Sequence, residues 1–289
     1  MVIRSFLIHA LSPVHAGTGQ SVDVIDLPIA RMSSTGIPII PGSSIKGCLR
    51  DTLTESLGDK LEVVFGPDSN NASDHAGAAV FSDARLLALP VRSFRGTFAW
   101  VSSPLLLSLA RRDLKEAGLD VPKPGFATER RAYIGSSCLN THTIEGVQRC
   151  YLEDLDLPVR MEPWVDAWSA LLAPLVAGDS HVDSFKNRFV VVDDETMTFL
   201  WETATQVDAR VSIDSETRTA RDGALWYEES LPPETLLIGL LATHHSLKPK
   251  VQLEDKEVME LVLGEESIVQ FGGKASVGRG RCRLLSLSA

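Results

Sequence analysis

The chain has 289 residues, 44% of them hydrophobic and 23% charged. That allows one large domain or two small ones with a real core, and it excludes a wholly disordered or fibrous chain. Thirty-eight acidic residues face 28 basic ones, a net charge of −10 that taken globally opposes a free-standing nucleic-acid binder. The four cysteines form no Cys-x-x-Cys pair and the seven histidines no His-x-x-x-His spacing, so free thiols in a reducing cytosol are expected rather than zinc. No apolar run reaches the ~18 residues of a membrane helix. The segment Met1 to His9 lacks a signal-peptide pattern. A cytoplasmic protein is the expectation.

In chain order, Val2 to Leu11 predicts a strand with apolar side chains on both faces, hence a central strand covered on both sides. Ser43 or Ser44 is expected to cap a helix carrying Ile45, Cys48, Leu49, Leu53 and Leu57 on one face and stopped by Gly58. Ala78 to Phe81 and Ala84 to Leu89 read as strands. Leu105 to Leu114 read as a helix ending at Gly118. The stretch 118–160 shows few apolar periods and is taken as an irregular insertion within one domain spanning 1–289. A helix is expected from Trp164 to Ala177, with Pro174 inside it. Phe189 to Val192 and Met197 to Trp201 are read as a hairpin turning at Asp193 to Thr196, and a second hairpin is read within 207–230. A buried strand from Thr235 to Leu241, a helix near Val258 to Leu263 and a glycine-rich, basic close complete the chain. Mixed elements without strict alternation predict an α+β fold.

Charge is unevenly placed. Acidic residues are missing between Asp26 and Asp51, between Asp83 and Asp113, and after Gly272. These windows hold Arg31, Lys46, Arg50, Arg85, Arg92, Arg95, Arg111, Arg112, Lys274, Arg279, Arg281 and Arg283. If they converge, an acidic body carries one basic face able to hold a polyanion; otherwise they are ordinary solvated surface. In the first window, small residues precede Lys46 at a helix start, where free N–H groups and the dipole favour an anion.

A set of motifs then occurs in order: Pro13-Val14-His15-Ala16-Gly17, Val24-Ile25-Asp26-Leu27-Pro28, Pro41-Gly42-Ser43-Ser44-Ile45-Lys46-Gly47, Pro90-Val91-Arg92-Ser93, Trp226-Tyr227-Glu228-Glu229, and the glycine-rich segment Gln270 to Gly280. Together they resemble the RAMP superfamily of CRISPR proteins, specifically the repeated backbone subunit of type III-B (Cmr) effector complexes, from near residue 1 to near residue 284. The resemblance implies an RRM-like (ferredoxin-like) palm with inserted segments and a β-hairpin thumb. It implies binding of a guide RNA, cleavage of complementary target RNA at regular intervals, and partners that include further copies in a helical filament and other CRISPR effector subunits. Base pairing would then supply sequence discrimination.

Carried onto this sequence, the resemblance makes Asp26 the candidate nuclease residue. Its carboxylate would hold Mg²⁺ or another divalent cation, or orient the 2′-hydroxyl of the RNA; read from the residues alone it is a turn aspartate. His15, a loop imidazole, is a candidate proton shuttle or a structural residue. Tyr227 and Glu228 are candidates to complete the cleavage site or to pack the hairpin, with Glu228 and Glu229 not distinguished. Ser43, Ser44, Lys46 and Arg50 are the expected guide-RNA contacts at the helix start. Lys274 and Arg279 in the glycine segment, and Arg210, Arg218 and Arg221 on the hairpin, are the others. Two alternatives remain open at this point. One is a non-catalytic guide-RNA scaffold in which Asp26 does no chemistry, and the other is a metal-independent processing nuclease using His15.

Overall fold

The fold is built outward from its first strand. In the computed structural model, which describes residues 1–19, 24–68, 71, 73–177, 182–214 and 216–287 (backbone alone at 177 and 221–223), β1 runs over Val2–Ala10. It pairs antiparallel with β13 (Leu236–Thr243) on one side and with β15 (Arg281–Leu287) on the other. Because successive strand side chains point to opposite faces, Phe6, Ile8 and Ala10 enter one core and Leu7 a second. Two covered faces were expected of this segment, and both are present. Each such fully buried Leu, Ile or Phe side chain contributes about 1.5–3 kcal/mol.

The first core is closed by α1 (Gly42–Thr52), α3 (Leu61–Phe65) and α8 (Asp255–Leu263), through Ile45, Leu49, Val63, Phe65, Val258 and Met259. A short helix, α2 (Thr54–Leu57), links α1 to Gly58, which stops the run as expected. The second core lies under α4 (Pro104–Glu116), α5 (Pro163–Ala177) and α6 (Val182–Lys186), and buries Leu107, Leu114, Trp168, Leu172 and Phe185. Further strands extend the sheet: the short β2 (Ile39–Ile40) and β3 (Ala79–Phe81), then β4 (Ala84–Arg92) and β5 (Phe98–Ser102). The region expected to be an irregular insertion is irregular over 119–131 but not throughout. It contributes β6 (Ala132–Ile134), β7 (His142–Ile144), β8 (Val147–Leu152) and β9 (Leu155–Met161), joined to the rest through β10 (Phe189–Val192). The sheet order is β14-β15-β1-β13-β4-β5-β10-β6-β9-β8-β7, with β14 spanning Ser267–Gln270. Among the pairings, β5 with β10 and β6 with β9 are parallel and the rest are antiparallel. The architecture is therefore mixed α and β around one large, mostly antiparallel sheet.

A second correction concerns Met197–Trp201, which belongs to a helix, α7 (Asp194–Thr203), and not to a hairpin. Asp193 caps it, its Oδ1 accepting from the Thr196 N–H at 2.8 Å and its Oδ2 from the Thr196 hydroxyl at 2.6 Å. The acidic run mistaken for a turn suits a helix N-terminus, and Met197, Leu200 and Trp201 form the buried stripe of a third core. The expected second hairpin is present as β11 (Gln206–Ile213) and β12 (Ala220–Ser230), a ribbon separate from the main sheet. Its outer face exposes Val207, Val211, Ile213, Leu225 and Tyr227. Its other face carries Asp208, Arg210 and Glu228 at the base.

Candidate functional site

The motifs carrying His15 and Asp26 meet at the base of the β11–β12 ribbon. Val14 forms an antiparallel bridge with Leu231, and Leu27 a parallel bridge with Glu228. These short pairings replace the ladder that Pro13 and Pro28 deny to their segments. The Asp26 side chain is half-buried. Its Oδ2 accepts from the Tyr227 backbone N–H at 2.7 Å, while its Oδ1 has no partner among the described residues. One oxygen is thus fixed by the ribbon backbone.

His15 is held from behind. Its Nδ1 lies 2.6 Å from the Glu229 carbonyl oxygen. A carbonyl only accepts, so Nδ1 carries the proton and Nε2 presents its lone pair when the ring is neutral. A Cβ at Gly17 would sit 2.6 Å from Nε2, so the residue two positions on keeps that nitrogen clear by having no side chain. Gly272 closes the opposite side: the Gly273 N–H donates to the His15 carbonyl at 3.2 Å, and a Cβ at position 272, where φ is +74°, would overlap that oxygen. The glycine-rich segment therefore serves the site by close approach.

The two glutamates are distinguished by the strand pleat. Glu228 is fully buried and directly opposite Asp208 across the ribbon, a like-charge pairing that is destabilising by itself. Three cations resolve it. Lys274 Nζ bonds Glu228 Oε2, Arg279 reaches Asp208 and the Ser230 hydroxyl and stands 3.6 Å from Glu228 Oε1, and Arg210 Nε stands 3.6 Å from Oε2. Arg279 holds the Asp208 carboxyl below its ordinary range. Burial, with Arg210 and Arg279 alongside, holds the Lys274 ammonium below its own. Glu229, on the opposite face and also buried, takes Arg31 at 2.5 Å, the Thr205 hydroxyl at 2.9 Å and the Ile29 N–H at 3.1 Å.

The expected RNA contacts separate into committed and open groups. Arg279 is 8% exposed and is spent inside the protein. Lys274 and Arg210 share that network but remain about one third exposed, at 31% and 35%. Arg50 is engaged by the protein, donating to the carbonyl of Gly66 at 2.7 Å, a residue that lines the same cleft as Lys46. Lys46 and Ser43 line a cleft of about 480 Å³ with Gly42 and Phe81, and burial with Arg50 one turn on lowers the Lys46 pKa. Ser44 lies in the same first turn but does not cap it. The helix begins at Gly42 after Pro41, and the Gly42 N–H donates to Asp83 Oδ1 at 2.8 Å. A carboxylate already occupies that N–H, a partner the acid-free window hid because Asp83 stands at its edge. Arg218 lies in the ribbon turn at φ +56°, and the Arg221 side chain lies outside the described residues. Tyr227 is 42% exposed and meets Asp26 through its backbone, not its phenol.

A sheet of this order, with a hairpin whose base gathers the His15, Asp26 and glycine-rich segments, defines a class. The RAMP superfamily model matches residues 7–283, and the chain belongs to that superfamily. Among its relatives, the protein named CRISPR system Cmr endoribonuclease Cmr4 from Pyrococcus furiosus is 33% identical over 286 residues, covering 96% of this chain and 94% of that one. The crystal structure of oligomeric Cmr4 from Pyrococcus furiosus matches with a TM-score of 0.73 at 25% identity, covering 99% and 98% of the two chains. A chain in the cryo-EM structure of the type III-B Cmr-beta bound to cognate target RNA shares the fold, with a TM-score of 0.74 at 22% identity and coverage of 99% and 97%.

Glu229 and Asp208 carry structural weight that the motifs did not reveal. The available signal was the strand period: adjacent acids on a strand buried on both faces must each find cations.

Proposed function

We propose that this chain is the repeated backbone subunit of an RNA-guided CRISPR effector, binding guide RNA and cutting complementary target RNA at regular intervals. The observation that carries the reading is the half-buried Asp26, one oxygen fixed by the Tyr227 N–H, on the same strand whose Glu229 carbonyl holds His15. It stands in a chain 33% identical to a named Cmr endoribonuclease. The main sheet serves as an RRM-like palm and the β11–β12 ribbon as the thumb that separates one nucleotide from its neighbours. Its exposed Val211, Leu225 and Tyr227 suit contact with unstacked bases. Copies stack into a filament in the cytoplasm, with other effector subunits alongside. The oligomeric relative supports self-association.

At the site, His15 Nε2 accepts the proton of the attacking oxygen, the 2′-hydroxyl of the nucleotide before the scissile bond; that oxygen bonds to phosphorus as the bond to the 5′-oxygen breaks, the departing 5′-oxygen takes a proton from water, and a 2′,3′-cyclic phosphate remains. Asp26 Oδ1 orients that hydroxyl or the phosphate. Lys274 and Arg210, on their exposed sides, offset the charge that develops on phosphorus oxygens. Lys46 and Ser43 hold the guide backbone in their cleft. Among the described residues no cluster of three or more His, Cys, Asp or Glu forms a metal cage. Glu228 and Glu229 are occupied by cations. Among the described residues of the site, Asp26 is the carboxylate not committed to a cation, which would suit an ion that keeps most of its waters and shares an RNA phosphate. When bound, the ion supplies Lewis-acid charge at that phosphate.

The test is cleavage of a guide-complementary RNA by the assembled complex, wild type against Asp26→Asn, with and without EDTA. A regular product ladder that disappears in the variant while target binding persists supports catalysis by this chain. An unchanged ladder makes it a scaffold. Cleavage that survives EDTA removes the metal from the mechanism.

A further inference from the structure

Three segments far apart in sequence converge on Glu229. The Glu229 main chain donates its N–H to the Leu27 carbonyl at 3.0 Å and offers its own carbonyl to His15 Nδ1 at 2.6 Å. Its carboxylate, only 2% exposed as a residue, accepts from the Ile29 N–H, the Thr205 hydroxyl and Arg31. Arg31 carries the connection onward, donating to the Trp201 carbonyl at 3.0 Å and to the Gly36 carbonyl at 3.3 Å. Trp201 lies in the last turn of α7, where a cation is also favoured by the helix dipole. The carboxylate thus has partners for both oxygens and its charge is matched, the condition under which a buried acid is rigid instead of costly.

We propose that Glu229 is a positioning residue for RNA cleavage, setting the His15 loop and the Asp26 loop at a fixed separation while touching no RNA itself. The inference rests on the catalytic reading of those two side chains. The reasoning is geometric. His15 and Asp26 sit on separate loops with no hydrogen bond between their side chains. Asp26 is three residues before Ile29, whose N–H the carboxylate holds, and one residue before Leu27, whose carbonyl the main chain holds. His15 is oriented by the carbonyl of the same residue. Loss of the carboxylate frees the Ile29 end of the Asp26 loop and leaves Arg31 unpaired behind it. The strand then shifts, and with it the carbonyl that fixes the His15 tautomer. Misplacement of a reacting group by about 1 Å costs roughly 100-fold in rate. Guide and target binding, carried by Lys46 and the outer surfaces, has no reason to change.

The experiment measures single-turnover cleavage and target-RNA affinity of the assembled complex for Glu229→Gln, which keeps the shape, and for Thr205→Val, which removes one hydrogen bond and leaves the charges paired. The expected result is a rate loss of about 100-fold for Glu229→Gln and about 5-fold for Thr205→Val, with target affinity within about two-fold of wild type. The loss should fall on the single-turnover rate and not on target affinity, the split that separates misplaced reacting groups from general damage. Cleavage at the wild-type rate in both variants overturns the proposal. So does a rate loss matched by an equal loss of affinity, since that reports only a damaged subunit. Asp26→Asn is measured in parallel. If it leaves the ladder intact, the catalytic reading fails. If it stops the ladder while both other variants cut normally, only the positioning role fails.

Discussion

Removing the Glu228 carboxylate should be among the most destabilising single changes in this chain. The side chain is fully buried and faces Lys274, Arg279 and Arg210, so Glu228→Ala leaves a cluster of three cations against Asp208 alone. Breaking a buried pair by deleting one partner costs about 3–5 kcal/mol, far more than the pair gains over an apolar replacement. Unfolding entropy near 2.1 cal/mol/K per residue, over a chain of this length, makes each kcal/mol worth roughly 1.5–2 °C. Thermal unfolding followed by circular dichroism should therefore show a Tm lowered by about 5–9 °C. The double variant Glu228→Gln with Lys274→Met removes one charge of each sign and should recover at least half of that loss. A Tm shift below about 1 °C for Glu228→Ala would refute the reasoning, because it would mean that the cations find water without penalty.

Other expectations follow from the same geometry. Gly272→Ala places a Cβ against the His15 carbonyl at a positive φ, so it should cost about 2 kcal/mol or more and slow cleavage beyond what the lost stability explains, measured by denaturant unfolding beside single-turnover rates. Asp208 has its folded pKa depressed by Arg279, so its contribution is present above the unfolded carboxyl value and lost as pH falls below about 4 through the folded value. Hydrogen exchange of the β11–β12 amides should rise in that window, and Asp208→Asn should abolish the added protection at neutral pH. Lys46→Ala should weaken guide-RNA binding and flatten its salt dependence, read from titrations at several ionic strengths, while leaving Tm within about 1 °C.

Much of this fold was legible because local patterns and global placement agreed. Val2–Ala10 carries apolar residues on both of its faces, and a strand with two apolar faces belongs in the middle of a sheet. The ribbon at 206–230 could be read for the opposite reason, since alternating polar and apolar residues on both sides of an Asp-Ser-Glu-Thr turn leave one face for solvent. The failures were equally physical. Asp193-Asp194-Glu195 suits a turn and a helix start alike, and only the burial of Met197, Leu200 and Trp201 against β6 and β10 decides between them. The strands in 118–160 are short, and while β7, β8 and β9 pair with near neighbours in sequence, β6 is a strand because β9 and β10 offer it edges.

The sequence by itself determined the family, the order of the motifs and the residue types available for chemistry, because these follow from local spacing. What only the tertiary structure decided was the use of each charge. Lys274, Arg279 and Arg50 read alike as cations in acid-poor windows, yet one bridges a buried glutamate, one is spent inside the ribbon base and one caps a helix end. Charges act through a reach of a few ångströms. Which partner falls within that reach is set by strand pairings such as Asp208 with Glu228, made between residues that the chain holds far apart.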